Sequence, residues 1–449
     1  MKNKITNRRG VTLIALVITI IVLLVLAEIS ISMISSQDGM LNKVTSAKET
    51  QKKTTEEEKE KLAVQVALVE GEGRIDISKL TEDSDIVKAY ADNGYTYKGE
   101  GKFISKDGKE EISITETGEI EKIAVVSDVS KLTTEVAKMT KYVDNTSIVN
   151  KEAIIPREFK VSSKTNEQKI DTGLVVIDKN ENEFVWVPVP NAIYDGTTEI
   201  TIESYTPMAR KINNTENYQG VLYDLNQTKE NQKVYDFSTN GVGTTNYREP
   251  VLVEGNDMQE EYNNMVKSIA KYGGFYVGRY ETGIEDGRAV SKDASKAENN
   301  TITADASQTD TNKWYGLYSK QRTMAKDNGL DSVESSMIWG SQYDAMMIWM
   351  QKTGTIIGTG YDTTKRKLNE RVTGNSPNDI INKVYDLYGC GLEWTLEMIF
   401  NSTRVCRGGF ALETEYAPSN RFVGYGESRN HDHIGSRLSL YIKWACKKF

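Results

Sequence analysis

The side chains best suited to binding a metal ion lie near the carboxyl end of the chain. The sequence holds two histidines, His431 and His433, which are separated by one aspartate. Side chains two residues apart on a strand point to the same side, so this pair can hold zinc or copper together with a carboxylate. The spacing identifies no third ligand, and we interpret the motif as a solvated pair on a loop. We therefore predict no metal site and no metal cofactor.

The three cysteines, Cys390, Cys406 and Cys446, lie in the last 60 residues. None is in a C-x-x-C spacing, so they predict neither a zinc ribbon nor a redox pair. The sequence also lacks the Gly-x-Ser-x-Gly turn that would expose a nucleophilic serine. We therefore predict no catalytic residues from the pattern of the chain.

Composition limits the architecture and the partners. A chain of 449 residues predicts two or three domains. The 56 basic and 64 acidic residues give a net charge of −8, which argues against coating nucleic acid. Only 38% of the residues are hydrophobic, yet six Trp, 23 Tyr and nine Phe supply large apolar side chains. The sequence thus predicts packed cores surrounded by many polar loops.

The amino end has the pattern of a membrane segment. Residues 11–27 carry no charge and approach the length that spans a bilayer. The positive-inside rule predicts a single-pass protein whose carboxyl-terminal part lies outside the cytoplasm. The basic residues before the apolar run are Lys2, Lys4, Arg8 and Arg9. A secretory signal peptide is the alternative, but no A-x-A cleavage site follows the run.

The motif RRG followed by VTLIALV resembles the leader of type IV prepilins. The resemblance implies that a prepilin peptidase cuts between Gly10 and Val11 and that the new amino end is methylated. Ala15 stands where such families usually carry a glutamate that neutralises the amino terminus of a neighbouring subunit. We expect membrane insertion, whereas assembly with other pilins stays open.

Residues 37–61 are strongly polar, with opposite charges spaced for pairing along a helix. They predict a solvated stalk helix, with a flexible linker as the alternative. Residues 73–123 have the pattern of short strands separated by turns, which predicts a small pilin-like head. Asp128 is predicted to cap a helix reaching Met139, and polar residues 144–170 predict a linker, with a boundary near residue 150.

The chain is thus predicted to be an α+β protein with five parts. These are a leader over 1–10, a transmembrane helix over 11–35, a stalk and head over 36–125, a helix and linker over 126–153, and a large domain over 154–449.

Within the large domain, Asp257 and Glu260 form a capping box that predicts a helix ending at Gly273. Residues 341–351 are apolar nearly all round, which predicts a buried helix. Residues 174–177 and 184–189 predict a hairpin, and residues 275–280 a further strand.

Six blocks of the large domain occur in the order typical of the formylglycine-generating-enzyme, or sulfatase-modifying-factor, superfamily. They are FVWVPV, GGFYVGRYETG, WGSQYDAMMIW, VYDLYGCGLEWTLE, RVCRGG and GSRLSLYIK. The resemblance covers about residues 154–443. It implies a C-type-lectin-like fold with long packed loops.

Catalytic members of that superfamily oxidise a substrate cysteine with two cysteines that follow the RGG block and can hold copper. Glu413 and Pro418 stand about where those cysteines would fall, and Cys406 precedes the glycines. The resemblance also implies a calcium site built on Asn and Glu side chains. Here Glu393 remains, while Cys390 replaces the Asn and Leu392 an aromatic residue, which weakens the prediction of calcium.

One branch of the superfamily comprises the variable proteins of diversity-generating retroelements, which carry a ligand-binding face near the carboxyl end. Residues 410–433 resemble such a face and are rich in the Tyr, Arg, His and acidic side chains that paratopes use. The predicted ligand-binding residues are Phe410, Leu412, Glu413, Glu415, Tyr416, Phe422, Tyr425, Glu427, Arg429, Asn430, His431, Asp432 and His433.

Our leading hypothesis is a surface-displayed, pilin-anchored protein that binds an extracellular protein or a glycan. A minor pilin or pseudopilin subunit is the first alternative, and a formylglycine-generating-type oxidase is the second.

Overall fold

A computed structural model describes residues 40–189, 209–212, 218–221, 252–253, 256–293, 314–353, 373–374, 378–389, 391–400, 403–409, 418, 421–426 and 434–443. The predicted leader, with Gly10 and Val11, and the predicted transmembrane segment lie outside these residues. The chain divides into two compact units between Lys122 and Ile123.

The first unit combines two helices with an antiparallel meander. Helix α1 is much longer than α2, and strands β1, β2 and β3 pair in sequence order. The elements are α1 Met40–Glu70, α2 Asp85–Asp92, β1 Tyr95–Gly99, β2 Lys102–Ser105 and β3 Glu110–Ile114. Strand β4, Ile120–Val126, begins in this unit and continues into the second.

The core of the first unit lies between the helices and the meander. Tyr90 of α2 is fully buried and stacks on Phe103 of β2, with ring centroids 4.5 Å apart. Val64 joins this core from α1. The Nδ2 atom of Asn93 donates to Glu60 Oε1 at 2.7 Å, which links the end of α2 to α1. Helix α1 includes most of the polar segment predicted to be a stalk, and helix α2 was not predicted from the sequence.

The second unit holds the remaining elements. Its helices are α3 Met258–Tyr272, α4 Trp314–Asp327 and α5 Gly340–Lys352. Its strands are β5 Thr140–Val143, β6 Glu152–Ile155, β7 Phe159–Val161, β8 Val175–Asp178, β9 Glu183–Pro188, β10 Ala209–Ile212, β11 Tyr218–Val221, β12 Leu252–Val253, β13 Asn256–Asp257, β14 Gly274–Gly278, β15 Gly283–Glu285, β16 Arg288–Val290, β17 Val333–Met337, β18 Ile380–Ile381, β19 Val384–Tyr385, β20 Leu392–Phe400, β21 Thr403–Arg407, β22 Arg421–Gly426, β23 Ile434–Ser436 and β24 Leu438–Ile442.

The main sheet of the second unit has the strand order β17-β24-β14-β9-β8-β7, and each of these pairs is antiparallel. Every residue of β9 and β14 is buried, as expected for central strands covered on both faces. A Cβ atom on Gly274 would lie 2.5 Å from the Trp186 ring and from the Val187 carbonyl oxygen. Only glycine therefore lets β14 approach β9 this closely.

Several local predictions are confirmed. Helix α3 ends where the capping signals indicated, because Gly273 adopts a φ of 77° and donates to the Ile269 carbonyl at 2.8 Å. The predicted hairpin is β8 and β9. The predicted buried helix is α5, which includes the fully buried residues Tyr343 and Met346.

The helix predicted from Asp128 to Met139 is wrong. Asp128 does cap a helix by accepting from the Ser130 N–H, but it is a 3-10 turn over Val129–Leu132. The chain then leaves the helical path because the Val136 N–H donates to the Phe159 carbonyl at 2.9 Å. A contact distant in sequence thus overrides a local apolar spacing.

The linker predicted over residues 144–170 is also wrong. Ile154, Ile155 and Phe159 are at most 2% exposed and belong to the core of the second unit. Residues 123–153 accordingly belong to the second unit, which begins earlier than the boundary predicted near residue 150.

Candidate functional site

The 410–433 segment follows β21, includes β22 and leads into β23. These strands belong to a four-stranded sheet with the order β22-β21-β20-β23. Of the segment's thirteen predicted ligand-binding residues, only Phe422 and Tyr425 fall on a described element, the backbone of β22. The others lie outside the described residues: Phe410, Leu412, Glu413, Glu415, Tyr416, Glu427, Arg429, Asn430, His431, Asp432 and His433. The margins of the segment are described, and they define the candidate site.

Strand pairing brings these margins to one edge of the sheet. Arg407, at the end of β21, lies opposite Arg421, at the start of β22. Glu393, near the start of β20, lies opposite both Arg407 and Gly435 of β23. The points where the chain leaves β21, enters β22 and enters β23 are therefore at the same edge.

Two glycines fix the beginning of the segment. Gly408 has a φ of 91°, which favours glycine. The Gly409 N–H donates to the Leu387 carbonyl at 2.9 Å, and a Cβ atom on Gly409 would lie 2.2 Å from the Tyr388 carbonyl oxygen. The sequence Arg407-Gly408-Gly409 thus allows a close approach of two backbones.

Arg407 forms a buried ion-pair triad beside these glycines. Its Nη2 atom lies 2.7 Å from Asp344 Oδ1 and its Nη1 atom lies 3.1 Å from Glu397 Oε2. All three side chains are at most 1% exposed. Because an unpaired buried charge is costly, this triad ties β21 to β20 and to α5 in one arrangement.

A second arginine, Arg437, lies between β23 and β24 and is fully buried. Its Nε atom is 3.1 Å from both carboxylate oxygens of Glu393, and its Nη2 atom also pairs with that carboxylate. It further donates to the carbonyls of Gly278 at 3.0 Å, Arg279 at 3.2 Å and Tyr385 at 2.8 Å. One side chain therefore connects β14, β19 and β20.

These contacts change the interpretation of Glu393, which the family resemblance offered as a calcium ligand. Both of its oxygens accept hydrogen bonds from Arg437. Among the described residues, no three His, Cys, Asp or Glu side chains are grouped so that they could hold a metal ion.

Three further carboxyl groups are buried near Arg437. Burial, and next the negative charge of Asp386, raise the pKa of Asp379 from 3.8 to about 7. Burial also raises the pKa of Asp386 to about 6, against hydrogen bonds from Thr373 and Gly374. Burial, and then Glu393, raise the pKa of Glu281, whose Oε2 atom has no hydrogen-bond partner among the described residues.

Cys406 lies on β21 opposite Trp394 of β20 and is fully buried. Burial raises the pKa of its thiol. The thiolate, which is the form that binds copper and attacks substrates, is therefore disfavoured. Cys390 and Cys446 lie outside the described residues.

Sequence reasoning did not single out Arg407, Arg437, Asp344 or Asp379, although most of them lie in the quoted blocks. Arginine and aspartate ordinarily indicate an exposed surface. The available signal was a charged residue inside a block rich in large apolar side chains, as in WGSQYDAMMIW, which indicates a buried charge that needs a partner.

No family model matches this chain. None of the curated proteins matches it either. Two solved structures are distantly similar. The structure of PvdO from Pseudomonas aeruginosa has 13% identity and a TM-score of 0.26, covering 38% of this chain and 82% of that chain. The Major Tropism Determinant M1 variant has 12% identity and a TM-score of 0.22, covering 78% of this chain and 84% of that chain. Likenesses at these TM-scores support no conclusion about fold or function.

The pairing of Arg437 with Glu393 predicts an asymmetric response to mutation. Arg437→Met leaves a buried carboxylate without its counter-charge, so we expect the free energy of unfolding to fall by about 3–5 kcal/mol. The double variant Glu393→Gln, Arg437→Met removes both charges and should cost less than Arg437→Met alone. Urea denaturation of the double variant and of the two single variants, Arg437→Met and Glu393→Gln, measures the three losses, and a double variant that loses the sum of the two single losses would contradict the pairing.

The raised pKa of Asp379 predicts a pH dependence of stability. Because its folded pKa of about 7 exceeds the ordinary 3.8, the stability that Asp379 contributes is fully present below pH 4 and is lost as the pH rises through 7. Asp379→Asn should remove up to about 1.4 kcal/mol per pH unit from that slope. Parallel stability curves for the native chain and the variant between pH 4 and 7 would show that Asp379 does not titrate in this range.

Proposed function

We propose that this chain is a surface-displayed, pilin-anchored protein that binds an extracellular protein or a glycan through its 410–433 segment. The proposal includes a C-type-lectin-like fold for the large domain, related to the formylglycine-generating-enzyme superfamily. It also includes the finer assignment of a target of a diversity-generating retroelement.

The observation that carries the proposal is the way in which the chain is held just before the segment, at Gly409, and at one point within it, Pro418. The Gly409 N–H bonds to Leu387, and the Pro418 carbonyl accepts from Tyr343. Both contacts use main-chain atoms, of Gly409 and of Pro418, so they do not depend on the side chains at 410–417. Backbone contacts that hold a segment while leaving its side chains free to vary suit recognition, because less of the chain must become ordered when a partner binds.

The residue types support the same proposal. Tyr416 and Tyr425 offer large rings with few rotatable bonds, which give contact area at a low entropy cost. Arg429 adds a forked set of hydrogen-bond donors. The segment also has acidic and histidine side chains for polar partners.

The environment of Cys406 favours binding over oxidase chemistry. The family oxidase requires accessible thiolates, whereas Cys406 is buried and the pKa of its thiol is raised. By the family resemblance, Pro418 stands about where one of the two catalytic cysteines would fall, and its carbonyl accepts a hydrogen bond from Tyr343.

The anchor in this proposal is residues 11–35, which lie outside the described residues. In the described part of the chain, no helix is both long and apolar enough to cross a bilayer. The proposed partners at this end are the prepilin peptidase, the membrane and, if filaments form, other pilins.

The binding face is tested with the triple variant Tyr416→Ala, Tyr425→Ala, Arg429→Ala. The native chain is first screened on arrays of glycans and of extracellular proteins, and each hit is measured with the variant. We expect at least a hundredfold loss of affinity, because loss of aromatic and arginine anchors costs about 1–3 kcal/mol each, with a melting temperature that is nearly unchanged. Full retention of affinity for every hit would show that the face lies elsewhere.

The anchor is tested by determining the residue at which the mature chain begins. In cells with a prepilin peptidase, the membrane-bound chain should begin at methylated Val11, as read by mass spectrometry. Gly10→Val should retain the leader, and the matched control Arg9→Lys should be processed normally because it keeps the charge. A mature end beyond residue 27 would instead indicate an ordinary secretory signal peptide. Recovery of the chain only in purified filaments would favour the minor-pilin alternative.

A further inference from the structure

One buried tyrosine contacts the 410–433 segment away from its margins. The hydroxyl of Tyr343 donates to the carbonyl of Pro418, with 3.0 Å between the two oxygens. Pro418 is buried and lies within the connection between β21 and β22. The bond therefore fixes a point of the backbone between the two ends of that connection.

Tyr343 is itself held in place. It lies on α5, is fully buried, and has the Arg407 guanidinium 4.5 Å from its ring centroid. Arg407 is fixed in turn by its ion pairs with Asp344 and Glu397. A cation over a buried aromatic ring is attractive, so the ring has little freedom to move.

The hydroxyl also lies beside the start of the segment. A Cβ atom on Gly408 would be 3.3 Å from the Tyr343 oxygen. The chain thus passes the same hydroxyl twice, at Gly408 and at Pro418. Burial raises the pKa of the Tyr343 phenol, which keeps the proton that it donates.

We propose that Tyr343 is a positioning residue for the binding segment, acting through the Pro418 carbonyl and held by Arg407. This inference rests on the proposed function, since it concerns how that segment is presented. Fixing Pro418 divides the connection between β21 and β22 into two shorter stretches, and a shorter stretch has less conformational entropy for a partner to remove on binding.

The test removes one oxygen atom, that of the Tyr343 hydroxyl. Tyr343→Phe keeps the ring, the stacking and the packing but loses the bond to Pro418. The matched control is Tyr276→Phe, because Tyr276 is equally buried and its hydroxyl also donates to a backbone carbonyl, that of Ile154 at 2.8 Å. Hydrogen exchange measured by mass spectrometry on the full chain reports each region separately.

We expect Tyr343→Phe to accelerate amide exchange about fivefold in peptides covering 408–421 and to leave β8, β9 and β14 unchanged, since one net hydrogen bond corresponds to about that factor. Tyr276→Phe should leave 408–421 at its native rate. Arg407→Lys loses the planar guanidinium that lies over the Tyr343 ring and pairs with two carboxylates. It should therefore reproduce the faster exchange in 408–421. An unchanged rate in 408–421, or an equal rise throughout the second unit, would overturn the proposal.

Binding is measured separately, on the glycan or protein hits of the array screen. Tyr343→Phe should weaken affinity about fivefold, chiefly through faster dissociation, while Tyr276→Phe should not. The exchange result needs no ligand, so it stands or fails independently of the assigned binding face. Failure of the triple variant to lose binding would remove the proposed face without altering the exchange result.

Discussion

The packing of the carboxyl-terminal strands depends on placing the guanidinium of Arg437 in the buried interior. Arg437 is fully buried, and a charge in such a place is tolerated only when each of its donors finds an acceptor. Glu393 supplies the counter-charge, and carbonyls of Gly278, Arg279 and Tyr385 accept the remaining bonds. These acceptors come from segments more than a hundred residues apart, so satisfying one side chain requires several strands to be in register. The constraint selects one packing of β20, β23 and β24 over its competitors.

The contacts that hold the 410–433 segment are made by main-chain atoms, and this leaves its side chains free to differ. The 410–433 segment is held through the Gly409 N–H and the Pro418 carbonyl, with Tyr343 supplying the second contact from a helix. Main-chain groups are the same for every residue type except the proton that proline lacks. Side chains between these points can therefore change without removing the contacts that hold the backbone. This property suits a surface whose specificity resides in its side chains.

Elements with complete local signals were predictable from the sequence, and elements decided by distant contacts were not. Helix α3 had sequence signals at both ends, and it begins at Met258, directly after Asp257, and ends at Tyr272, directly before Gly273. Asp128 also had a capping signal, but the Val136–Phe159 backbone pairing ends the helix after one turn. The ion pairs were least predictable, because Arg279 meets Glu167 from 112 residues away. At the site, the binding role of the 410–433 segment stays a prediction from its composition, whereas the contact between Tyr343 and Pro418 could be found only from the structure.

The pKa values of the buried carboxyl groups also bear on whether these groups could take part in catalysis. Raised pKa values often mark active sites, and Asp379, Asp386 and Glu281 have them. A general acid must also reach its substrate, and each of these groups is at most 3% exposed. Glu393 and Arg437 are committed to each other in the same interior. The raised pKa values of Asp379, Asp386 and Glu281 are therefore explained by burial among other acidic groups, without any contact with a substrate.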